Sequence, residues 1–465
     1  MSDDLLPETR RALRHRLATA QVEGRAPSAV AAVVRDGRPV WTQGWGEDAD
    51  GDRQYRIGSI SKTFVTVLVM RLRDEGLISL TDPLGAHLPG TVAGDALIRD
   101  LLAHTAGLPA ESPGPWWERT AGTLRPALGD VLGPDHQVHP AGERHHYSNP
   151  GFALLGALVE KLRGQDWGTV LRQEILEPLG MSRTSLRPVA PHASGWAVHP
   201  HADVLLPEPL TDTGRMGPAG QIWSTADDLS RFAAFLLAGD DRVLGAESVD
   251  RMRMPSSAPA AASWDSGYGL GMQLLRRDGR LLSGHTGSMP GFVATVWTSP
   301  DDDLATVVLA NCTSGLPVPT VAADLLELVA SREPRIPAPW TPLPTVDPEL
   351  LALAGHWYWG PSAYVLKPRA DGWLELISGG PRGARLRPDG NGEWVGTNGY
   401  FDGERLRLIR DADGAVTHLD LGTFVFTRQP YDPPDVIPGG VDPAGWRGSD
   451  VRADPARAGG VDLGE

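Results

Sequence analysis

The chain has 465 residues, of which 41% are apolar and 22% charged, a composition typical of a globular protein with two or three domains. Its net charge of −15 disfavours nucleic acid and anionic membrane as partners, because binding phosphate requires a basic face. No window approaches the roughly 18 apolar residues that span a bilayer, and the N-terminus has no secretory signal pattern. Together with a single cysteine, Cys312, these features predict a cytoplasmic protein without disulfides.

The N-terminal part of the chain alternates helical and strand patterns. Residues 5–22 carry spaced leucines among charges, which predicts an amphipathic helix. The runs 29–35 and 39–45 flank Asp36-Gly37 and predict a β-hairpin. The apolar run 64–72 then predicts a buried helix, and residue 59 would lie at its N-terminal end.

A helical middle section separates this beginning from a second group of strands. Residues 82–253 read as helices joined by Gly/Pro-rich loops, with one helix over 225–237 capped by residue 224 or 225. Strand patterns then follow at 271–275, 280–283, 292–298 and 304–310, before a helix over 320–331. This order predicts an α+β domain over 1–333, with one antiparallel sheet built from both ends, flanking helices and a helical subdomain.

The remaining residues have a different composition. Residues 334–348 are rich in proline and predict an extended linker. Residues 349–429 alternate short strands with Asp-Gly and Asn-Gly turns, which predicts a small all-β barrel domain. Its seven predicted strands lie at 355–359, 363–367, 373–377, 393–397, 405–409, 416–419 and 424–427. Residues 430–465 have few large apolar groups and are expected to form a flexible tail.

Ser59 and Lys62 form the first motif that indicates chemistry. Residues three apart on a helix share a face, so the serine hydroxyl and the lysine amine can touch. A serine becomes a good nucleophile when a base takes its proton, and burial lowers the pKa of a lysine amine enough for that role. The N-terminal end of a helix also stabilises developing negative charge.

Two further motifs follow in the chain. Tyr147 is a potential general base if a cation such as Lys62 stabilises its phenolate, and Asn149 can orient Lys62 and bind a substrate carbonyl. His285 can donate a proton or hydrogen bond to a substrate, in a segment where an edge strand is expected. Gly287, after Thr286, lets a substrate approach the backbone, and the Ser288 amide is placed to pair with the amide of residue 59 as an oxyanion hole.

The three motifs in this order resemble the signatures of the serine β-lactamase and penicillin-binding-protein superfamily. The similarity spans about residues 10–330 and is greatest to the class C β-lactamase-related group, which includes D-Ala-D-Ala carboxypeptidases, D-aminopeptidases and family VIII esterases. Supporting runs are Asp100–Pro109, Ala219–Leu229 and Gly267–Met272. The third motif begins with histidine where many β-lactamases have lysine, as in some DD-peptidases, D-aminopeptidases and peptide-cyclising thioesterases. The C-terminal barrel resembles the lipocalin-like barrels appended to some members.

The resemblance implies a serine hydrolase that acts by two-step acyl transfer on an ester, an amide or a D-amino-acid-containing peptide. In this scheme Ser59 is the nucleophile, Lys62 and Tyr147 share the base role as a coupled pair, and Tyr147 or His285 returns the proton. Thr286 would bind substrate beside Asn149 and Gly287. Two alternatives remain open: a penicillin-binding-protein-type thioesterase that cyclises or releases a peptide, and a sensor that is acylated without turnover.

No cofactor or metal is expected. His145-His146 and His199-x-His201 lack cysteine or carboxylate partners at ligand spacing, so they do not predict a metal site. His104, in a loop near the first two motifs, is interpreted as structural. The expected partner is a small-molecule or peptide substrate, and the sequence leaves the oligomeric state open.

Overall fold

The structure, a computed structural model, describes residues 5–119, 127–257, 265–337, 339–380 and 382–432. The chain divides into two units, Met1–Ile336 and Pro337–Glu465. The predicted tail over 430–465 lies outside the described residues from position 433 onward. Within the described ranges, no helix combines the length and apolarity that a membrane crossing requires.

The helices and strands of the first unit are numbered in chain order. The helices are α1 Pro7–Glu23, α2 Ser61–Asp74, α3 Ile98–Leu102, α4 Asn149–Arg163, α5 Trp167–Leu171, α6 Glu177–Leu179, α7 Gly217–Gly220, α8 Ala226–Ala238, α9 Ala246–Met252 and α10 Val318–Arg332. The strands are β1 Ser28–Arg35, β2 Arg38–Gly46, β3 Tyr55–Arg56, β4 Trp196–Val198, β5 Leu205–Pro207, β6 Trp223–Ser224, β7 Ser266–Tyr268, β8 Gln273–Arg277, β9 Arg280–Met289, β10 Phe292–Ser299 and β11 Leu304–Ala310.

One antiparallel sheet organises this unit, in the order β2-β1-β11-β10-β9-β8-β7. Strands from before and after the helical middle section pair where β1 meets β11, with Ala29 opposite Ala310. The prediction of one sheet built from both ends of the segment is therefore confirmed. The hairpin between β1 and β2 turns at Asp36 and Gly37, whose φ angles of 52° and 70° are those of a type I′ turn.

The sheet is covered on both faces, which explains why its central strands are continuously apolar. Successive side chains of a strand point to opposite faces, so alternate residues of β1 enter two separate cores. Ala29, Ala31 and Val33 pack in a core with residues of α1 and α10. Val30, Ala32 and Val34 belong to the larger core that includes α2, α4 and α8. On that face α8 packs directly on β1, β10 and β11, and Phe64 of α2 stacks on Phe232 of α8.

The second unit contains α11 Pro348–Leu353 and a closed antiparallel barrel in which each strand pairs with the next along the chain and the last pairs with the first. Its strands are β12 Gly355–Trp359, β13 Ser362–Pro368, β14 Leu374–Ser378, β15 Ala384–Pro388, β16 Trp394–Gly396, β17 Arg405–Arg410, β18 Val416–Leu421 and β19 Phe424–Thr427. Alternate side chains such as Trp357, Leu366 and Leu386 fill its interior. The predicted barrel is confirmed.

Candidate active site

Ser59 lies in a 3₁₀ turn, Gly58–Ile60, that leads directly into α2. This turn packs backbone to backbone against β9. A Cβ on Gly58 would stand 2.6 Å from the Ser288 amide nitrogen, and the φ of Gly58 is +53°. A Cβ on Gly287 would stand 1.9 Å from the Ile57 carbonyl oxygen and 3.2 Å from the Ser59 amide nitrogen. Both glycines are therefore required for the close approach that brings the Ser59 and Ser288 amides together.

Lys62, the second residue of α2, is fully buried. Its Nζ lies 3.0 Å from Ser59 Oγ, and it donates to Asn149 Oδ1 at 2.7 Å and to the Ala219 carbonyl oxygen at 2.8 Å. Burial lowers the pKa of Lys62 to about 7, although the charges of Glu111 and Glu118 act in the opposite direction. A substantial neutral fraction therefore exists near neutral pH.

The three partners of Lys62 suit a neutral amine that accepts a proton from Ser59. A neutral amine has two N–H groups and one lone pair. The Asn149 and Ala219 oxygens can only accept hydrogen bonds, so they take the two N–H groups. The lone pair is then left for the hydroxyl of Ser59, which is both donor and acceptor.

The second motif reaches the site from the start of α4. Ser148 caps this helix by accepting a hydrogen bond from the Gly151 amide, and Asn149 is its first residue. The Tyr147 ring centroid lies 4.9 Å from Lys62 Nζ. Burial raises the pKa of Tyr147, while a hydrogen bond with Ser59 lowers it by less. The phenol therefore stays protonated, with its hydroxyl beside that of Ser59.

His285 is buried in β9 and both of its ring nitrogens have partners within the protein. Nδ1 lies 2.5 Å from the Thr286 carbonyl oxygen and must donate, since a carbonyl only accepts. Nε2 then accepts from the Tyr268 hydroxyl at 3.0 Å. Burial lowers the pKa of His285 to about 3, so the ring is neutral. His285 consequently supplies neither a cation nor a free proton to the site in this arrangement.

Within the described part of the chain, strand β9, which carries the third motif, lacks a neighbouring strand on one side over part of its length. β9 is internal to the sheet, but its pairing with β8 ends where Gly284 meets Gln273. Beyond that point the Thr286 amide donates to the Gln273 side chain at 3.0 Å, and Gly287 faces the turn that carries Ser59. The predicted strand over 280–283 is thus longer and includes the whole motif.

The profile of the Beta-lactamase family matches residues 10–331 of this chain. The chain belongs to the Beta-lactamase family. A second profile, described as "Domain of unknown function (DUF7586)", matches residues 346–428 and so coincides with the barrel. Membership of the first family supports a hydrolase of the β-lactamase and penicillin-binding-protein kind.

A named relative agrees with this membership, and two solved structures share the fold. The chain is 29% identical over 364 residues to Penicillin-binding protein 4 of Amycolatopsis lactamdurans, covering 69% of this chain and 90% of that protein. The octameric penicillin-binding protein homologue from Pyrococcus abyssi has a TM-score of 0.62 at 22% identity, covering 90% of this chain and 99% of that one. A D-stereospecific amidohydrolase from Streptomyces sp. has a TM-score of 0.61 at 24% identity, covering 68% and 98%.

Three residues contribute hydrogen bonds around the site, although the sequence analysis did not place them there. Glu111 accepts hydrogen bonds from Asn149 Nδ2 at 2.8 Å and from Trp117 Nε1 at 2.6 Å, which fixes the orientation of the Asn149 amide. Tyr268 positions the third-motif histidine, as described above. His104, interpreted as structural, accepts a hydrogen bond from the Ser148 amide at 3.0 Å.

The sequence around each of these three residues gives little indication of the hydrogen bond that the residue makes. Glu111 follows a Leu-Pro-Ala run 38 residues before its partner, and a lone carboxylate in a loop indicates nothing by itself. The run Gly267–Met272 was recognised as a family feature, but not the hydrogen bond that its tyrosine makes. Among the residues that the structure describes, no group of three His, Cys, Asp or Glu side chains could hold a metal ion.

Proposed function

We propose that this chain is a serine hydrolase that cleaves an amide or ester bond through an acyl-enzyme on Ser59. The observation that carries the proposal is the burial of Lys62, whose three oxygen partners leave the lone pair of a neutral amine directed to the Ser59 hydroxyl. This arrangement activates a serine without a histidine or a metal ion.

In the first step, Lys62 takes the Ser59 proton while Ser59 Oγ forms a bond to the substrate carbonyl carbon. The carbonyl oxygen becomes an oxyanion that the amides of Ser59 and Ser288 stabilise. Tyr147, a protonated phenol, passes a proton to the leaving nitrogen or oxygen and is reprotonated from Lys62. The bond to the leaving group breaks, which yields an acyl-enzyme and a free amine or alcohol.

In the second step, a water molecule attacks the acyl carbonyl and gives its proton to the Lys62–Tyr147 pair. The ester to Ser59 breaks, the proton returns to Ser59 Oγ, and a carboxylic acid leaves. Asn149 keeps Lys62 in place in both steps, and Thr286 and Gly287 lie along the substrate. In this scheme His285 positions β9 and transfers no proton.

The proposed substrate is an amide, ester or peptide that contains a D-amino acid. The D-stereospecific amidohydrolase from Streptomyces sp., which shares the fold, supports this substrate class. The charges around the site indicate which charge the substrate carries. His285 is neutral and offers no cation for a substrate carboxylate, while Glu111 and Glu118 supply negative charge near Lys62. A substrate with an amine is therefore favoured over one with a carboxylate beside the third motif.

The test is hydrolysis of D- and L-phenylalanine amide and of p-nitrophenyl acetate by the wild type and by Ser59→Ala. Turnover by the wild type and its loss in the variant would support the proposal, and faster release from the D-amide would support the stereochemistry. A stable adduct without turnover would point to an acylated sensor. An adduct released only by an added amine would favour the cyclising alternative. Equal activity in both proteins would refute a serine mechanism at this position.

A further inference from the structure

A cavity in the barrel unit, remote in sequence from the three motifs, contains an unusual arginine. The cavity has a volume of about 600 Å³ and is bounded by the end of β12, the start of β13 and the connection from β14 to β15. Arg382 lies in that connection, and its side chain reaches the cavity wall formed by Trp359, Ser362 and Tyr364.

Three aromatic rings surround the guanidinium of Arg382. Its central carbon lies 5.0 Å from the ring centroid of Trp359, 5.0 Å from that of Tyr400 and 5.3 Å from that of Phe424. The rings also pack on one another, with centroids of Trp359 and Phe424 5.2 Å apart and those of Tyr400 and Phe424 5.8 Å apart at 86°. The aromatic rings thus form a preformed cage around a partly desolvated cation.

The hydrogen-bond donors of Arg382 have no acceptor among the residues that the structure describes. Several other arginines of the barrel unit differ in this respect, since they contact carboxylates in the pairs Arg369–Glu375, Arg405–Asp389 and Arg410–Glu349. A guanidinium has five N–H donors in a fixed planar fork. Stacking uses the faces of this plane and leaves the N–H groups at its edge free to bind a ligand.

We propose that this cavity binds an organic carboxylate whose apolar portion packs on Trp359 and Tyr364, the aromatic side chains of its lining. The fork of Arg382 matches the two oxygens of a carboxylate and binds them in a bidentate manner. The rings exclude water from one side of the ion pair, which strengthens the electrostatic attraction. Ser362 offers an additional hydroxyl at the cavity wall. A peptide C-terminus and a free organic acid share this chemistry.

The test is isothermal titration of the full-length chain with benzoate, which represents small organic acids, and N-acetyl-Ala-Phe, which represents peptide C-termini. Benzamide and N-acetyl-Ala-Phe amide serve as neutral counterparts. We expect both acids to bind, the amides to bind at least about tenfold more weakly, and Arg382→Gln to weaken the acids by a similar factor, because a charged hydrogen-bonded pair is lost. The tighter of the two acids identifies the source.

Arg385→Gln is the matched control. Arg385 is an exposed arginine in β15, and its guanidinium lies 5.7 Å from the single ring of Trp373, outside the cavity. This variant is expected to bind both acids as the wild type does. Binding that survives Arg382→Gln, equal binding of acids and amides, or no binding of either acid would each overturn the proposal. Tighter binding of inorganic phosphate than of either acid would overturn the assignment to carboxylates.

Discussion

The pH dependence of acylation distinguishes a lysine base from a tyrosine base, and Glu111 provides a way to shift it. A lysine must be neutral to accept a proton, so kcat/KM should rise as pH increases through the Lys62 pKa of about 7 and then reach a plateau. Glu111 raises this pKa, because its negative charge stabilises the lysine ammonium. Glu111→Gln should therefore move the midpoint to lower pH.

The size of the shift follows from the geometry. The Glu111 carboxylate accepts from Asn149 Nδ2 at 2.8 Å, and Asn149 Oδ1 accepts from Lys62 Nζ at 2.7 Å. With the width of the amide between them, the two charges lie roughly 7 Å apart, which corresponds to about 0.6 kcal/mol in a water-like dielectric. Because Glu111 is exposed to water, the water-like dielectric applies, and this energy is the lower limit of the interaction between the two charges. It moves the midpoint by about half a pH unit at low salt, and by less as salt increases.

The assay is kcat/KM for p-nitrophenyl acetate between pH 5 and about 10, at two ionic strengths. Glu247→Gln is the control, since this exposed carboxylate on α9 is not among the charges that act on Lys62. A wild-type midpoint near 7 that Glu111→Gln lowers and Glu247→Gln leaves in place is the expected result. Activity that has no midpoint near 7 and is still increasing at the upper end of this pH range would refute the lysine base in favour of the Tyr147 phenolate, since the ordinary tyrosine pKa is about 10.

Three other perturbations are expected to have defined effects. Ser59→Ala and Lys62→Met should each reduce kcat for an activated ester by about a thousandfold or more, and the double variant should be little worse, because the two residues act as a unit. Gly287→Ala should reduce kcat/KM at least about a hundredfold, since its Cβ would meet the Ile57 carbonyl oxygen and separate the Ser59 and Ser288 amides that we propose as the oxyanion hole. Trp357→Ala should destabilise the barrel by about 3–5 kcal/mol in urea unfolding, because its fully buried ring would leave a cavity.

Matched controls make these expectations refutable. Gly129→Ala meets no atom within 4 Å and should leave kcat/KM unchanged. Trp340→Ala removes a side chain that is 86% exposed and should change the free energy of unfolding by less than about 0.5 kcal/mol. Additive losses in the Ser59 and Lys62 double variant, wild-type activity in Gly287→Ala, or equal stability of the two tryptophan variants would contradict the respective arguments.

Much of the fold could be predicted because its signals are local. The β1–β2 hairpin follows from Asp36-Gly37 between apolar runs, and α8 begins after Thr225, whose side chain accepts from the Asp228 amide, as the capping pattern predicts. In the barrel, β15 was missed because Ala384–Pro388 has two outward arginines and follows a Gly-Pro-Arg-Gly stretch. Its two inward residues are too few for a strand pattern.

The site itself could be predicted only in part. The three motifs gave the residues, and the structure brings Ser59, Lys62, Tyr147 and Asn149 into contact. The tautomer of His285 depends on Tyr268 and on its own neighbour's carbonyl, which no spacing rule reveals. Long-range hydrogen bonds of this kind depend on how separate elements pack, and the sequence contains no local signal for them.

The most direct test of the central claim is an intact-mass time course with an activated short-chain ester, followed by peptide mapping of the modified protein. Our account predicts an acyl adduct that forms and decays in the wild type, maps to Ser59 and is absent in Ser59→Ala. An adduct on another residue, or one that forms equally in Ser59→Ala, would contradict it.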